Sequence, residues 1–398
     1  MKSQDKILYF EQSEFEDRLR KVKESMYRQG MEALLVTDPA NMNYLTGYDG
    51  WSFYVHQGVL VFVDREEPIW FGRQQDSNGA RLTTWLGNDS IFGYTDDYVQ
   101  SNLKHPMDFV ADLLKEMGCD RKNLGVEMDS YYFTGQCIDS LRADLPHARI
   151  VNANLLVNWV RLVKSDQEIT YMKMASRIVE KVVQTAIDTI ALGVREGDAA
   201  AAVYHAQISG TDEFTGDHSA IFPIMPSGIR TSTAHLSWVD RRYESGDMVL
   251  LELSGCKYRY HAPLSRTVMV GDPPKDLEDI AKTVVDGLNQ VLEFIQPGVT
   301  GEEIKAEWRS AVAGSKVVKE SRIGYAYGLN YPPDWGEHTV SLRPGDKNVL
   351  QPNMTIHVMP GIWLEKFGFE CSEPIYLTEN GCGTFVDFER KLFVKKGE

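Results

Sequence analysis

Glu252 sits inside "VLLELSG", a run that is otherwise apolar. A carboxylate there must be paired, metal-bound or shifted in its ionisation, because an unpaired buried charge is very costly. One plain partner is an arginine such as Arg266; the polar groups that converge nearby in sequence weigh instead for a site. His235 lies in "STAHLSW", and a lone histidine is more often a surface or core residue than a catalyst. "RYHAPLSRT" adds His261 and Arg266, and "FGFECSEPIYL" adds Glu370 and Glu373. Those two glutamates are three positions apart, so in a strand they point to opposite faces and one of them lines a pocket unless a bulge intervenes. Carboxylates with a histidine are the equipment of acid–base or nucleophilic catalysis.

The elements around these residues must place them. "FEDRLRKVKESMYRQGMEALLVTD" reads as an amphipathic helix closed by a turn at Gly30 and followed by a buried strand. "GVLVFVD" and "EPIWFGR" read as further strands of one sheet, and the alternation continues to "ARIVNANLLVNWVRLVK". This predicts an α/β domain over residues 1–162. At "SDQEITYMKMASRIVEKVVQ", Ser165 and Glu168 form a capping box ahead of a long helix, so a second domain is expected over 163–398. Within it "TIALGVREGDAAAAV" and "FIQPGVTGEEIKAEW" share a helix end, a Gly-Val turn and a helix start. A repeat of that length is a duplicated α/β half, and two such halves put a pocket at their seam.

Bulk properties narrow the function. With 398 residues, 43% hydrophobic and 25% charged, the chain can bury a large core. A formal net charge of -15 argues against nucleic acid as a partner. No apolar run is long enough to span a membrane, and "MKSQDKILYFEQSEFEDRLRKV" is no signal peptide. Five scattered cysteines without CxxC spacing read as reduced cytosolic thiols, neither a zinc site nor a disulfide framework.

Several ordered motifs carry a family resemblance: "RLVKSDQEI", "PSGIRTSTAHLSW", "SGDMVLLELSG", "SRTVMVG", "GYAYG" and "IHVMPGIW". Together they resemble the pita-bread family of methionine and proline-specific aminopeptidases, prolidase and creatinase. The resemblance implies an α/β (α+β) chain: a creatinase-like N-terminal α/β domain, then a pita-bread domain with an internal pseudo-twofold repeat. The peptidases of that family hold two metal ions with two aspartates, a histidine and two glutamates. Matched motif to motif, those positions are Glu252, Pro263, Tyr325, Met359 and Ser372 here. Four of the five have no metal-binding side chain of the expected type, so no metal and no cofactor is expected. His235 falls where the family keeps a histidine beside the scissile bond, and in creatinase its counterpart serves as acid and base.

A narrower resemblance rests on "NYLTGYDGWSFYVHQ", "MDSYYF", "LPHARI", "YRYHAPLSRTV", "NYPPDWGEHTVSLRP" and "LTENGC". These are similar to the ectoine-hydrolase branch of the family. That branch opens the cyclic amidinium of ectoine, and often of 5-hydroxyectoine, to an N-acetyl-2,4-diaminobutyrate. Carboxylates stabilise such a cation where metal ions would repel it, so the resemblance assigns Glu252, Glu373 and His235 to catalysis. Either His235 deprotonates water and then protonates the leaving nitrogen, or a glutamate (Glu252) attacks to form a covalent intermediate.

The segment "YDGWSFYVHQ" brings Tyr48, Trp51, Phe53, Tyr54 and His56 together. It reads as a strand with one buried face. In creatinase-like dimers this segment reaches the partner's active site, which implies a homodimer with an aromatic wall for a cation. Trp51, Tyr54, His261, Tyr325, Trp335 and Glu370 are the expected substrate contacts, Tyr327 being as consistent with ordinary packing. The substrate carboxylate needs a donor, for which Arg266 or Arg230 stands. A cytoplasmic location and a deacetylase partner fit the same picture. The rival readings are a creatinase-like amidinohydrolase, a lyase for a sulfonium solute, a metal-dependent Xaa-Pro peptidase and a non-catalytic binding module.

Overall fold

The computed structural model describes residues 6–52 and 54–396, so Phe53 lies outside the described residues. The chain divides into two compact units, Met1–Arg161 and Leu162–Glu398.

In the first unit a single sheet of β1 (Ala33–Val36), β2 (Gly58–Phe62), β3 (Ile69–Arg73), β4 (Ile91–Tyr94), β5 (Asn123–Val126) and β6 (Arg149–Asn152) runs in the order β4-β3-β2-β1-β5-β6. Pairing is antiparallel at β1–β2 and β2–β3 and parallel at the remaining joints. Helices α1 (Gln12–Arg28), α2 (Pro39–Thr46), α3 (Ser77–Thr83), α4 (Pro106–Glu116), α5 (Gly135–Asp144) and α6 (Leu156–Val160) complete the domain. The α1 stripe Phe15, Leu19, Val22 and Met26 is buried, as its spacing predicts. Asp38 caps α2 through two backbone N–H groups, and Gly47 closes it at φ 85°, a conformation natural to glycine. The described residues of "YDGWSFYVHQ" are loop between α2 and β2 rather than the expected strand; Tyr48 is buried there while Trp51 and Tyr54 are exposed. A buried Tyr48–Gln57 hydrogen bond of 2.9 Å ties the two ends of that loop.

The second unit opens with α7 (Asp166–Thr189), whose start is the Ser165/Glu168 capping box read from the sequence. Next come α8 (Glu196–Ser209), β7 (Met248–Lys257) and β8 (Tyr260–Val270), then α9 (Lys275–Phe294), α10 (Gly301–Ala311), β9 (Gly324–Tyr327) and β10 (Gly336–Ser341). The remaining strands are β11 (Thr355–Val358), β12 (Ile362–Trp363), β13 (Gly368–Phe369), β14 (Glu373–Thr378), β15 (Gly381–Thr384) and β16 (Leu392–Lys395). They form the sheets β16-β8-β7, β10-β9-β11-β14-β15 and β12-β13.

The duplication is visible in the hydrogen bonds. After α7, Gly193 donates to Tyr243 O and Tyr243 donates back to Val194 O, both at 2.9 Å. After α9, Gly298 donates to Leu350 O at 2.9 Å and Leu350 back to Val299 O at 2.8 Å. Each half therefore packs its own helix pair on its own strands: Val179, Val183, Ala199 and Val203 against Leu251 and Leu264, and Val284, Leu288, Ile304 and Trp308 against Ala326 and Ile356. The pseudo-twofold arrangement is that of a pita-bread domain.

Candidate active site

β7 and β8 form a fully buried antiparallel hairpin, and their register sorts its residues by face. Glu252 stands opposite Ser265, Leu250 opposite Thr267, and Cys256 opposite His261. The other face carries Leu251, Leu253, Ala262 and Leu264, which pack in the core under α7. Period-two alternation thus turns one face of the hairpin into a polar wall.

Glu252 is held on both sides of its backbone. It pairs with β8 on one side, and its N–H and C=O bond Ile224 at 3.0 and 3.2 Å on the other. Its carboxyl, 7% exposed, makes no hydrogen bond to a described residue. Burial first, then the neighbouring Glu370 and Asp334 charges, hold its pKa well above the usual carboxylate range. Glu370 follows β13 and is fixed by Thr267, whose hydroxyl donates to Glu370 O at 2.8 Å and accepts Glu370 N–H at 2.9 Å. Burial pushes Glu370 up to about 7 against the pull of Lys319. Glu370 Oε1 and Ser265 Oγ are buried neighbours, and neither has any partner beyond the other. Two buried carboxyls with so few hydrogen-bond partners mark a place for a ligand.

A second cluster adjoins the first. Tyr325 on β9 and His357 on β11 are cross-strand partners. Tyr325 Oη accepts the Trp335 indole N–H at 2.9 Å and lies 3.2 Å from His357 Nδ1. His357 Nε2 is 2.7 Å from Ser372 Oγ, which itself accepts Ser265 N–H at 2.7 Å. Burial, assisted by Arg322 and Arg266, depresses His357 to about 3, so the ring is neutral at physiological pH. Burial and the Glu252 charge hold Tyr325 well above its ordinary value, so it keeps its proton. Trp335 is fully buried and positions Tyr325. Tyr327 is buried with its hydroxyl unpartnered, its ring 6.4 Å from that of His357.

Four expected positions have other surroundings. Glu373, on the strand face opposite Ser372, forms a 2.7 Å ion pair with Arg266, and both are buried. Arg266 also donates to the carbonyls of Glu389, Ser265, Ser372 and Phe388 at 2.6–2.9 Å, engaging all of its N–H groups. It has none left for a substrate carboxylate, and it faces away from Glu252, so the Glu252–Arg266 bridge is also not formed. Arg230 is likewise committed, to Glu196 (its ion pair), to Ser227 Oγ at 3.0 Å and to Ser237 O at 2.5 Å. His261 is buried with both nitrogens in use: Nε2 accepts Ala220 N–H at 2.9 Å and Nδ1 faces Gly328 O at 3.3 Å. Burial lowers it to about 3, so it serves as a neutral strut and not as a substrate contact.

His235 sits exposed on the loop after the turn Gly228–Ser232. The root of that loop is anchored near the carboxyls, because Gly368 N–H donates to Thr231 Oγ1 at 3.3 Å. No hydrogen bond or ion pair joins His235 itself to Glu252 or Glu370. Trp51 and Tyr54 belong to the first unit, where Tyr54 Oη accepts an Arg73 N–H at 3.1 Å. His357 and Lys319 are the site residues that sequence reading missed. The signal for His357 was the one used for Glu252: a titratable group in an apolar strand, "TIHVM".

Whether this wall fits metal ions is decided by the donor set. Pro263 offers no ligand, while Tyr325 and Ser372 already bond Trp335, His357 and Ser265. Two carboxyls with raised pKa values remain, short of what a divalent ion requires. Among the described residues the one cluster with three ligand atoms within 4.8 Å of one another is His56, His105 and Cys137 in the first unit. There His105 Nδ1 accepts Met107 N–H at 3.1 Å as the cap of α4. In the neutral ring Nε2 therefore carries the proton and offers no lone pair.

Comparison with known proteins agrees with the fold. The creatinase/prolidase N-terminal domain matches residues 18–163, and metallopeptidase family M24 matches residues 170–394. An ectoine hydrolase of Halomonas elongata is 42% identical over 395 residues, covering 98% of this chain and 99% of that protein. A Xaa-Pro dipeptidase of Pyrococcus horikoshii is 28% identical over 306 residues, 71% of this chain and 84% of that protein. Among solved structures, a prolidase from Thermococcus sibiricus superimposes with a TM-score of 0.82 at 20% identity, covering 96% of this chain and 99% of that one, a likeness of fold.

Proposed function

The chain belongs to metallopeptidase family M24 with a creatinase/prolidase N-terminal domain, is a hydrolase, and on that premise we propose that it opens the amidinium ring of ectoine without metal. The product is an N-acetyl-2,4-diaminobutyrate, and 5-hydroxyectoine is a second substrate. The observation that carries the reading is the buried Glu252–Glu370 pair with no counter-charge of its own beyond Lys319, on a wall whose other family metal positions are Pro263, Tyr325, Met359 and Ser372. A planar amidinium supplies both the missing positive charge and N–H donors. Its arrival lowers the pKa of both carboxyls and ionises them in place. Tyr325 keeps its proton beside Glu252 and serves as a donor to the reacting centre.

Glu252 is then the group that meets the carbon between the two ring nitrogens. In the covalent route its carboxylate bonds to that carbon, one ring C–N bond breaks as the nitrogen takes a proton, and water later displaces the glutamate to leave the amide. In the alternative route water adds directly, with His235 taking its proton and returning it to the leaving nitrogen. Mass spectrometry of acid-quenched protein separates the two, since only the first leaves substrate mass on Glu252.

Trp51 and Tyr54, exposed on their loop, are assigned to the site of a second copy in a homodimer. A monomer by light scattering would remove that part. The decisive test of the whole is proton NMR of ectoine incubated with EDTA-treated protein, beside creatine and a Xaa-Pro dipeptide. An N-acetyldiaminobutyrate signal is expected from ectoine alone. Turnover that returns only when metal is restored overturns metal independence, and consumption of creatine alone transfers the reading to guanidine hydrolysis.

A further inference from the structure

Ectoine is a zwitterion, so a site that takes its amidinium must also place its carboxylate. That carboxylate has to lie away from Glu252 and Glu370 and meet a cation. Of the arginines considered from the sequence, Arg266 has every N–H engaged by internal partners, and Arg230 is drawn inward onto Glu196, Ser227 and Ser237. Lys319 is also engaged: its Nζ donates to Gly361 O at 2.7 Å, stacks 4.5 Å from the Trp363 ring and balances the Glu370 charge.

Arg322 is different. It is exposed, and its guanidinium lies 4.3 Å over the ring of Tyr325, with no hydrogen bond or ion pair to a described residue. Its backbone is nonetheless fixed, because Ile323 donates to Leu342 O at 3.0 Å and accepts Met359 N–H at 2.6 Å. The guanidinium thus lies over a ring whose hydroxyl belongs to the Tyr325–His357–Trp335 cluster, and no described residue takes up its N–H donors. The competing carboxylate nearby, Asp334, is taken up by His338 at 2.7 Å and by Gly336 N–H at 2.9 Å.

Resting on the ectoine reading above, we propose that Arg322 is the residue that selects the substrate carboxylate, by a bidentate charge-assisted pair at the mouth of the Glu252 site. It sets specificity and plays no part in bond breaking. An uncharged-tail analogue, 2-methyl-1,4,5,6-tetrahydropyrimidine, has the amidinium without the carboxylate and so does not use it.

The test measures kcat and KM for ectoine and for that analogue in wild type, Arg322→Met and Arg322→Lys. For ectoine, KM rises roughly 10- to 100-fold in Arg322→Met with kcat within about threefold, and Arg322→Lys restores part of the loss. For the analogue, neither variant differs from wild type. An unchanged KM for ectoine, or an equal rise for both compounds, overturns the proposal while leaving ectoine hydrolysis intact. Failure of the wild type to open ectoine at all removes the functional reading and the proposal together.

Discussion

Glu252 on β7 stands directly across the hairpin from Ser265 on β8, and the next residue along, Arg266, faces the other way onto Glu373. One strand therefore separates the carboxyl proposed to react from a structural one. This division governs what each substitution does.

Glu252→Gln abolishes turnover, by a factor of about 1000 or more, yet leaves the melting temperature unchanged or raised. The carboxyl makes no hydrogen bond and sits where burial opposes its charge, so an amide costs nothing in the free protein. Steady-state rates with calorimetry check both halves. Residual activity near wild type would remove Glu252 from the chemistry.

Glu373→Gln behaves in the opposite way. It leaves the buried Arg266 guanidinium without its counter-charge, which costs about 3–5 kcal/mol. A large loss of stability in urea titration is expected, with KM for any residual folded enzyme unchanged. A catalytic defect at full stability would restore Glu373 to the site.

His235→Ala lowers kcat by about 100- to 10000-fold without a change in stability, since the side chain is exposed on its loop. Steady-state rates beside a melting curve check both halves. If the rate stays as in wild type, the water route through His235 falls.

Tyr325→Phe orphans the Trp335 indole N–H, a penalty of about 1–3 kcal/mol. Adding Trp335→Phe recovers part of it, so the double-mutant cycle is non-additive. Strict additivity of the two losses would show that the hydrogen bond carries no coupling.

Stability depends on pH through Glu370. Its folded pKa of about 7 lies above that of an unfolded glutamate, so the folded state binds the extra proton between those values. This contribution is complete below about pH 4.5 and is lost as pH rises through 7, on the order of 3 kcal/mol in all. Glu370→Gln flattens the fall in chemical denaturation between pH 5 and 8, whereas parallel profiles for both proteins would place the titrating group elsewhere.

Much of this was legible in the residues. The capping box at Ser165, the duplicated turns and the polar position in "VLLELSG" each follow from local rules, and the structure contains all of them. Whether Arg266 reaches Glu252 or Glu373 depends on which face of β8 it occupies, which strand pairing decides and composition does not. The engagement of His261 by Ala220 and Gly328 comes from chain segments far apart in sequence. Arg322 lies in irregular chain before β9, where no periodicity marks it, and its place over Tyr325 is a tertiary fact. The aromatic segment Tyr48–His56 misled because aromatics favour strands, while the chain there is a loop closed by Tyr48 and Gln57.

The β7–β8 hairpin has one further dependence. Its outer edge is covered by β16, whose Leu392 pairs in parallel with Thr267, from beyond the whole second half of the repeat. During synthesis the hairpin thus emerges with an open edge and waits for distant chain to close it. Such an edge is a template for pairing with another molecule, and its late, non-local closure slows folding. The interval between translation of β8 and of β16 is therefore when this protein is most exposed to aggregation, and when a chaperone has most to protect.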